Sequence, residues 1–186
     1  MPTLPSLWIP ILASAVLVFI VSSLIHMLLK WHNSDYQALT NEEEVRAAIR
    51  KGTPAPGQYV MPHCPGMKEM ASPEAQKRFA EGPIAMLWIK ANGLPSMGAP
   101  LAGWFLFNLV LSFCIAYLLS RTLATDTPGL QVFRVAATIA FLVHAGGAFP
   151  GAIWMGKPWR AAAKEVVDGL LYGLATGAAF ACLWPR

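Results

Sequence analysis

The sequence predicts an all-α polytopic membrane protein, with four transmembrane helices and a small α or α+β extramembrane loop domain after helix 1. Hydrophobic residues make up 55% of the 186 residues and charged residues only 13%, whereas a soluble domain carries roughly 25% charged residues. This small polar fraction cannot cover the surface of a water-soluble globular domain. Lipid must therefore cover part of the surface of this protein. In addition, four apolar runs are long enough to cross ~30 Å of hydrocarbon, which takes about 20 helical residues.

The first apolar run, residues 7–29, predicts transmembrane helix 1 within residues 1–30. Charged side chains are absent from residues 1–29, and Lys30 ends the run. A secretory signal peptide is the alternative, but it has a basic N-terminal region and a shorter apolar core. Residues 1–6 contain no basic side chain, so we expect a retained transmembrane helix.

Three further apolar runs predict transmembrane helices 2–4 within residues 101–186. Charged side chains interrupt these runs only near their ends. Tryptophan and tyrosine side chains also occur near the ends, which is typical of the two membrane–water interfaces. The predicted spans are residues 101–120, 132–149 and 166–184.

Residues 31–100, between the first two spans, predict a loop domain with its own secondary structure. Thr40 and Glu43 have the spacing of a capping box, in which both side chains bond free backbone amides at a helix start. Ser72 followed by Pro73 predicts the start of a second helix. Two short apolar segments bounded by proline and glycine predict strands at residues 58–61 and 85–89.

The positive charges near the helix ends predict the orientation of the chain, because cytoplasmic loops carry an excess of lysine and arginine. The side with the loop domain carries more of them, so we expect loop 31–100 in the cytoplasm and both termini outside. The formal net charge of +4 is spread without a basic run, which argues against nucleic-acid binding. The loop side carries Lys30, Lys90, Lys157, Arg160 and Lys164, and the other side carries Arg121, Arg134 and Arg186.

Three segments carry a resemblance to known sequences. They are Trp-His-Asn-Ser-Asp-Tyr at 31–36, Gly-Lys-Pro-Trp at 156–159 and Asp-Gly-Leu-Leu-Tyr-Gly at 168–173. Together they resemble small bacterial inner-membrane proteins of uncharacterised function. The resemblance implies the bacterial inner (cytoplasmic) membrane as the location, and it implies no activity and no site residue.

A row of small residues on the fourth span predicts a close helix–helix contact. Gly169, Gly173 and Gly177 recur every four residues, and Ala181 continues the row. In lipid, small residues on one helix face allow two backbones to approach closely. The contact is either with another span of the chain or with a second copy or another membrane subunit, and the sequence leaves both open.

Five soft or borderline metal donors lie within ten residues of the loop domain. Thioether, thiolate and imidazole groups together suit Cu(I). The alternative is that the methionines fill an irregular apolar surface, and their spacing matches no metal motif. We therefore expect no resident cofactor, with copper as the one that the donor types permit. The five donors are Met61, His63, Cys64, Met67 and Met70.

The predicted spans contain the histidines His26 and His144 and the carboxylate Asp168. Such groups mark ion paths and proton relays, so His144 and Asp168 form a candidate intramembrane polar site. Two facing histidines are also a haem ligand set. The simpler interpretation is that His144 bonds a neighbouring carbonyl, while Asp168 lies near its helix start, where the dipole favours a carboxylate, and pairs with Lys164.

Catalytic and nucleotide-binding motifs are absent from the sequence, which favours a non-catalytic function. We expect an accessory or assembly subunit of a membrane complex that docks other membrane proteins, or its own copies, through its helix faces. One alternative is a soft-metal (copper) handling protein that uses residues 61–70. The other is a small oligomeric transporter that uses His144 and Asp168.

Overall fold

The structure is a computed structural model, and it describes residues 1–185. Short 3₁₀ turns cover Leu4–Leu7 and Trp31–Asp35, and a π-helical turn, Leu24–Leu29, extends the first helix. The other elements are, in chain order, α1 (Trp8–Ser23), α2 (Glu42–Lys51), β1 (Gly57–Met61), α3 (Met67–Met70), α4 (Pro73–Glu81), β2 (Ala85–Ile89), α5 (Gly98–Thr122), α6 (Gly129–Gly146), α7 (Ala148–Trp154) and α8 (Trp159–Cys182).

Four helical segments are long and apolar enough to cross a membrane, which confirms the predicted all-α polytopic fold. The fourth begins at Trp159, well before the predicted start at residue 166. Its first two turns are polar but rich in alanine, the best helix former. Hydropathy therefore detects only the apolar part of a helix that starts earlier. The four segments are Leu4–Leu29, Gly98–Thr122, Gly129–Trp154 and Trp159–Cys182.

The third segment is interrupted where the sequence predicts one continuous span. The segment consists of α6 and α7, separated at Gly147. Pro150 has no backbone N–H, and its ring clashes with the carbonyl four residues earlier, which belongs to Gly146. The proline therefore explains why α6 ends at Gly146.

The chain divides into two compact units. The membrane unit contains Met1–Gln37 and the chain from Ser96 onward, and the loop unit contains Ala38–Pro95. Residues 31–37, which the sequence analysis places in the loop domain, therefore belong to the membrane unit. Side-chain contacts with α8, described below, hold this segment on the helices.

The membrane unit has apolar cores at both ends of its helix bundle. One core surrounds Leu7, Ile115 and Phe180, all fully buried. The other, at the end where α1 leads into residues 31–37, contains Ile25 and Tyr172. The two cores fix the helices that carry the polar groups described below.

The loop unit contains the two predicted strands, paired as an antiparallel sheet. Gly57 lies opposite Ile89, and Met61 opposite Ala85. The predicted strands are confirmed. The sheet has only two strands, which are marginally stable by themselves.

Both predicted helices of the loop unit are confirmed, but only one of their two predicted caps forms. Ser72 caps α4 by accepting a hydrogen bond from the Ala75 amide at 3.2 Å. The capping box at Thr40 does not form, because α2 begins after Asn41, which makes no side-chain cap bond. Glu43 instead pairs with Arg46, one turn further along the exposed helix.

Candidate metal centre

A buried carboxylate on α8, Asp168, is the centre of a polar cluster in the membrane unit. The residue is only 4% exposed. Its Oδ2 lies 2.7 Å from Nε2 of His32 and 3.9 Å from Nε2 of His26. Its Oδ1 is buried and has no hydrogen-bond partner within residues 1–185. A buried polar atom without a partner is unfavourable, so this oxygen is available for a further group.

His32 reaches Asp168 because the chain reverses sharply after α1. Lys30 has a left-handed φ of 50°, and its amide donates to the Ile25 carbonyl at 3.2 Å. A left-handed conformation costs a residue with a side chain roughly 1–2 kcal/mol, so neighbouring contacts must hold the reversal. As a result, the turn Trp31–Asp35 lies against α8.

Lys164 of α8 anchors this turn with all three of its ammonium hydrogens. Its Nζ donates to the Trp31 carbonyl at 2.7 Å, to Ser34 Oγ at 2.8 Å and to Asp35 Oδ1 at 2.5 Å. The hydrogen bond from the Lys164 ammonium holds the pKa of the Asp35 carboxyl below its usual value, while burial acts in the opposite direction. Asp35 is therefore an anion fixed beside the bundle.

His32 lies between two carboxylates. Its Nδ1 is 3.0 Å from Asp35 Oδ2, and its Nε2 is 2.7 Å from Asp168 Oδ2. When both carboxylates are ionised, hydrogen bonds at both ring nitrogens make this ring the doubly protonated imidazolium, because ionised carboxylate oxygens only accept. Together with Lys164, this imidazolium balances the two carboxylates. The four groups are therefore a neutral set without any bound ion.

His26 adds a second imidazole to the cluster. Its ring stacks on that of His32 with centroids 4.8 Å apart, and its Nε2 lies 3.3 Å from the Tyr172 hydroxyl. One ligand atom from each of His26, His32 and Asp168 lies within 4.8 Å of the others. The cluster thus has two nitrogen donors and one carboxylate, in reach of a single metal ion.

His26 lines two cavities that also contain another residue of the cluster. The first, which we call the aromatic cavity, has a volume of about 380 Å³. The second, which we call the polar cavity, has a volume of about 340 Å³. The lining of the aromatic cavity includes His26, Trp104, Phe107, His144, Asp168 and Tyr172, together with Val143 and Gly147. The lining of the polar cavity includes His26, His32, Asp35, Tyr36, Lys157 and Glu165.

The predicted polar pair, His144 and Asp168, lines the same aromatic cavity, but no hydrogen bond joins the two residues. His144 packs its ring against Tyr172, with centroids 5.1 Å apart. The predicted Lys164–Asp168 pair is wrong, because Lys164 binds Asp35. The predicted helix-start position of Asp168 is also wrong, since α8 begins at Trp159, far beyond the first turn in which a helix dipole acts.

The glycine row on α8 lies against α6 of the same chain. A Cβ atom added at Gly169 would lie 2.9 Å from Ala145, and one added at Gly173 or Gly177 would lie 2.8 Å from Ala137. Distances below 3.0 Å leave no room for a methyl group. The row therefore forms a close contact between two spans of one chain.

The five predicted copper donors lie in the loop unit. Met61 ends β1, and Met67 and Met70 are the first and last residues of α3. Met67 is 81% exposed. Within residues 1–185, His63 and Cys64 belong to no cluster of three histidine, cysteine or acidic donors. Copper binding here stays a prediction of the sequence.

His32 and Asp35 belong to the site although no motif in the sequence indicated it. Both lie in segment 31–36, which carried only the resemblance. A carboxylate inside a span needs a partner, and Asp168 had been identified. The pairing was not visible because the left-handed turn at Lys30, which brings His32 to α8, has no glycine to mark it.

Comparison with known proteins gives no further guide to the centre. No family model, no curated protein and no solved structure matches the chain. The resemblance to bacterial inner-membrane proteins therefore stays a prediction, and the function has to be inferred from the side chains described above.

Proposed function

We propose that this chain is a metal-binding integral membrane protein that holds one divalent first-row transition metal ion between α1, the turn Trp31–Asp35 and α8. The ligands are His26, His32 and Asp168. The observation that carries the proposal is their convergence within 4.8 Å, beside a buried Asp168 oxygen without a hydrogen-bond partner.

The donor set favours zinc or ferrous iron. Two imidazoles and one carboxylate bind Zn²⁺ in catalytic sites that keep an open position, and the same set binds Fe²⁺ in non-haem oxygenases. With three protein ligands, the ion retains at least one position for water or another ligand. Such an open site is compatible with a metal-dependent reaction as well as with metal handling.

Only small movements are needed to admit the ion. Two ligand atoms bound to one tetrahedral zinc ion, at about 2.0–2.1 Å each, lie about 3.3 Å apart. The His32–Asp168 pair, at 2.7 Å, has to open by about 0.6 Å, and the His26–Asp168 pair, at 3.9 Å, has to close by about as much. The two histidine nitrogens, which lie within 4.8 Å of each other, have to close by up to about 1.5 Å. Side-chain rotations cover such distances without moving the helices.

Asp35 supplies the outer contact that histidine ligands commonly have. Metal-bound histidines usually donate their other ring N–H to a carboxylate, which fixes the ring and its tautomer. Asp35 Oδ2 lies 3.0 Å from Nδ1 of His32. A bound metal ion would occupy the position of a proton on Nε2 of His32, and Nδ1 would keep its hydrogen bond to Asp35.

A purely structural ion-pair network is the competing explanation, because His32, Lys164, Asp35 and Asp168 balance in charge without a metal. Zinc titration of detergent-purified protein distinguishes the two. We expect the wild type to bind one zinc ion per chain and to gain thermal stability, by about 2.7 kcal/mol at a free zinc concentration 100 times Kd. A structural network predicts no saturable binding.

The matched variants are Asp168→Asn and His63→Gln. Asp168→Asn removes a charged ligand without changing its shape, so we expect stoichiometric zinc binding to be lost. His63→Gln removes a histidine of the loop unit and should leave binding intact. Equal zinc binding by the wild type and Asp168→Asn would refute the centre.

The accessory-subunit function remains a separate proposal. Its sequence argument was the glycine row, and α6 occupies that row, so a partner or second copy would have to bind another helix face. A transporter built on His144 and Asp168 and a copper function of residues 61–70 also remain proposals. Location in the bacterial inner membrane, with loop 31–100 in the cytoplasm, rests on the resemblance and on the charge bias.

A further inference from the structure

We propose that the aromatic cavity binds the headgroup of a lipid-soluble quinone, with His144 forming a hydrogen bond to a ring oxygen. This inference goes beyond the metal centre and does not depend on it. Three features of the cavity support it: its aromatic walls, an unpartnered polar atom and its access from the bilayer.

The walls of the cavity suit a flat ring. The rings of Trp104, Phe107 and Tyr172 surround that of His144, with centroid distances of 5.7, 5.8 and 5.1 Å. Aromatic rings attract one another in offset-stacked and edge-to-face arrangements at such distances. A volume of about 380 Å³ lies within the range of small-molecule sites, about 300–1,000 Å³.

His144 provides a specific polar contact. Its Nε2 is buried and has no hydrogen-bond partner within residues 1–185, although most buried polar atoms have one. A neutral imidazole nitrogen donates or accepts according to its tautomer. Nε2 therefore serves the carbonyl oxygen of a quinone as a donor and the hydroxyl of its reduced form as an acceptor.

The cavity opens towards lipid. Phe107 and Val143 line it and are 43% and 45% exposed on helices that span the membrane. A ligand dissolved in the bilayer therefore reaches the cavity between α5 and α6 without crossing water. A ring carrying a long apolar tail fits this route, because the tail stays in the bilayer while the ring enters.

Two neighbouring glycines provide a matched test. A Cβ atom at Gly146 or at Gly147 meets nothing within 4 Å, so either position accepts a side chain. Gly147 lines the aromatic cavity, and Gly146 is not among its lining residues. Gly147→Leu should therefore obstruct the cavity, while Gly146→Leu adds the same bulk outside it.

The experiment measures quenching of tryptophan fluorescence by decylubiquinone, on chelator-treated protein in lipid nanodiscs, so that a failure of the metal centre does not affect the result. We expect saturable quenching for the wild type and for Gly146→Leu, and its loss for Gly147→Leu. His144→Leu should weaken binding about fivefold, which is the loss of one hydrogen bond of about 1 kcal/mol. His144→Leu should still fold, because it removes a buried polar atom that has no hydrogen-bond partner. The melting temperature of this variant tests whether it folds.

Decylbenzene, which has the ring and the tail but no oxygen, is the control probe and should compete poorly with decylubiquinone. The inference is overturned if decylbenzene, added at the same concentration as decylubiquinone, halves the saturable quenching, as a ligand of equal affinity would. It is also overturned if folded Gly147→Leu saturates like the wild type, or if folded His144→Leu binds with unchanged affinity.

Discussion

Replacing Gly173 by alanine should destabilise the membrane unit, because its position on α8 has no room for a methyl group. The added Cβ would lie 2.8 Å from the Ala137 carbonyl oxygen and 3.1 Å from the Phe141 Cβ. Unstrained heavy atoms pack at about 3.5 Å or more, so α6 and α8 would have to separate by about 0.7 Å. The closest atom belongs to the backbone and cannot rotate away.

The expected magnitude follows from two opposing effects. Overpacking of a tight contact costs about 1–3 kcal/mol, and replacing glycine inside a helix returns about 0.5–1 kcal/mol through chain entropy. We therefore expect a net loss of about 1–2 kcal/mol for Gly173→Ala. The matched control is Gly103→Ala in α5, where an added Cβ meets nothing within 4 Å and only the favourable effect remains.

Thermal and denaturant unfolding in detergent provide the assay. Gly173→Ala should unfold at a lower temperature than the wild type, and Gly103→Ala at the same or a slightly higher temperature. If the two variants change stability equally, the glycine row is not in close contact with α6. The packing described here would then be incorrect.

Two further predictions concern the anchor at Asp35 and the membrane topology. Lys164 lowers the pKa of Asp35 in the folded state. Their interaction therefore stabilises the fold fully when the pH is above the pKa of the unfolded state, near 3.9. This stabilisation is lost as the pH falls through the lower pKa of the folded state. Thermal melts of the wild type should therefore fall more steeply below about pH 4 than those of Asp35→Asn, and parallel curves would contradict this role. For the topology, single cysteines are placed at Thr3, Asp126 and Lys51 in a cysteine-free background and treated with a thiol reagent that cannot cross the membrane. Thr3→Cys and Asp126→Cys should react from one side of the membrane and Lys51→Cys from the other. Labelling of all three from one side would exclude four spans.

The membrane architecture was predictable because it depends on apolar runs about 20 residues long, which hydropathy identifies directly. The ends of the helices were less predictable. Hydropathy does not register the polar first turns of α8, and the interruption at Gly147 depends on a clash between the ring of Pro150 and a carbonyl four residues earlier. Local composition therefore indicates where a span lies but not where its helix starts or breaks.

The candidate centre was predictable only in part. Asp168 was identifiable because a carboxylate inside a span is costly and needs a partner. Its partner His32 is 136 residues away in sequence. The two residues meet because of a left-handed turn at Lys30, and a lysine in the sequence does not predict such a turn. Pairing across that separation depends on tertiary packing, which a single sequence does not specify.

The pairing of Asp168 with His32 has a consequence for how the protein enters the membrane during synthesis. Asp168 lies near the middle of α8, the least apolar of the four spans. An aspartate at the centre of an inserting helix carries a penalty of about 2.5–3.5 kcal/mol. The side chain that pairs with Asp168 is His32, and this residue leaves the ribosome long before α8. We therefore expect that α8 inserts efficiently only after α1 and the turn Trp31–Asp35 are in place. The order of translation provides this, because α1 is synthesised before α8.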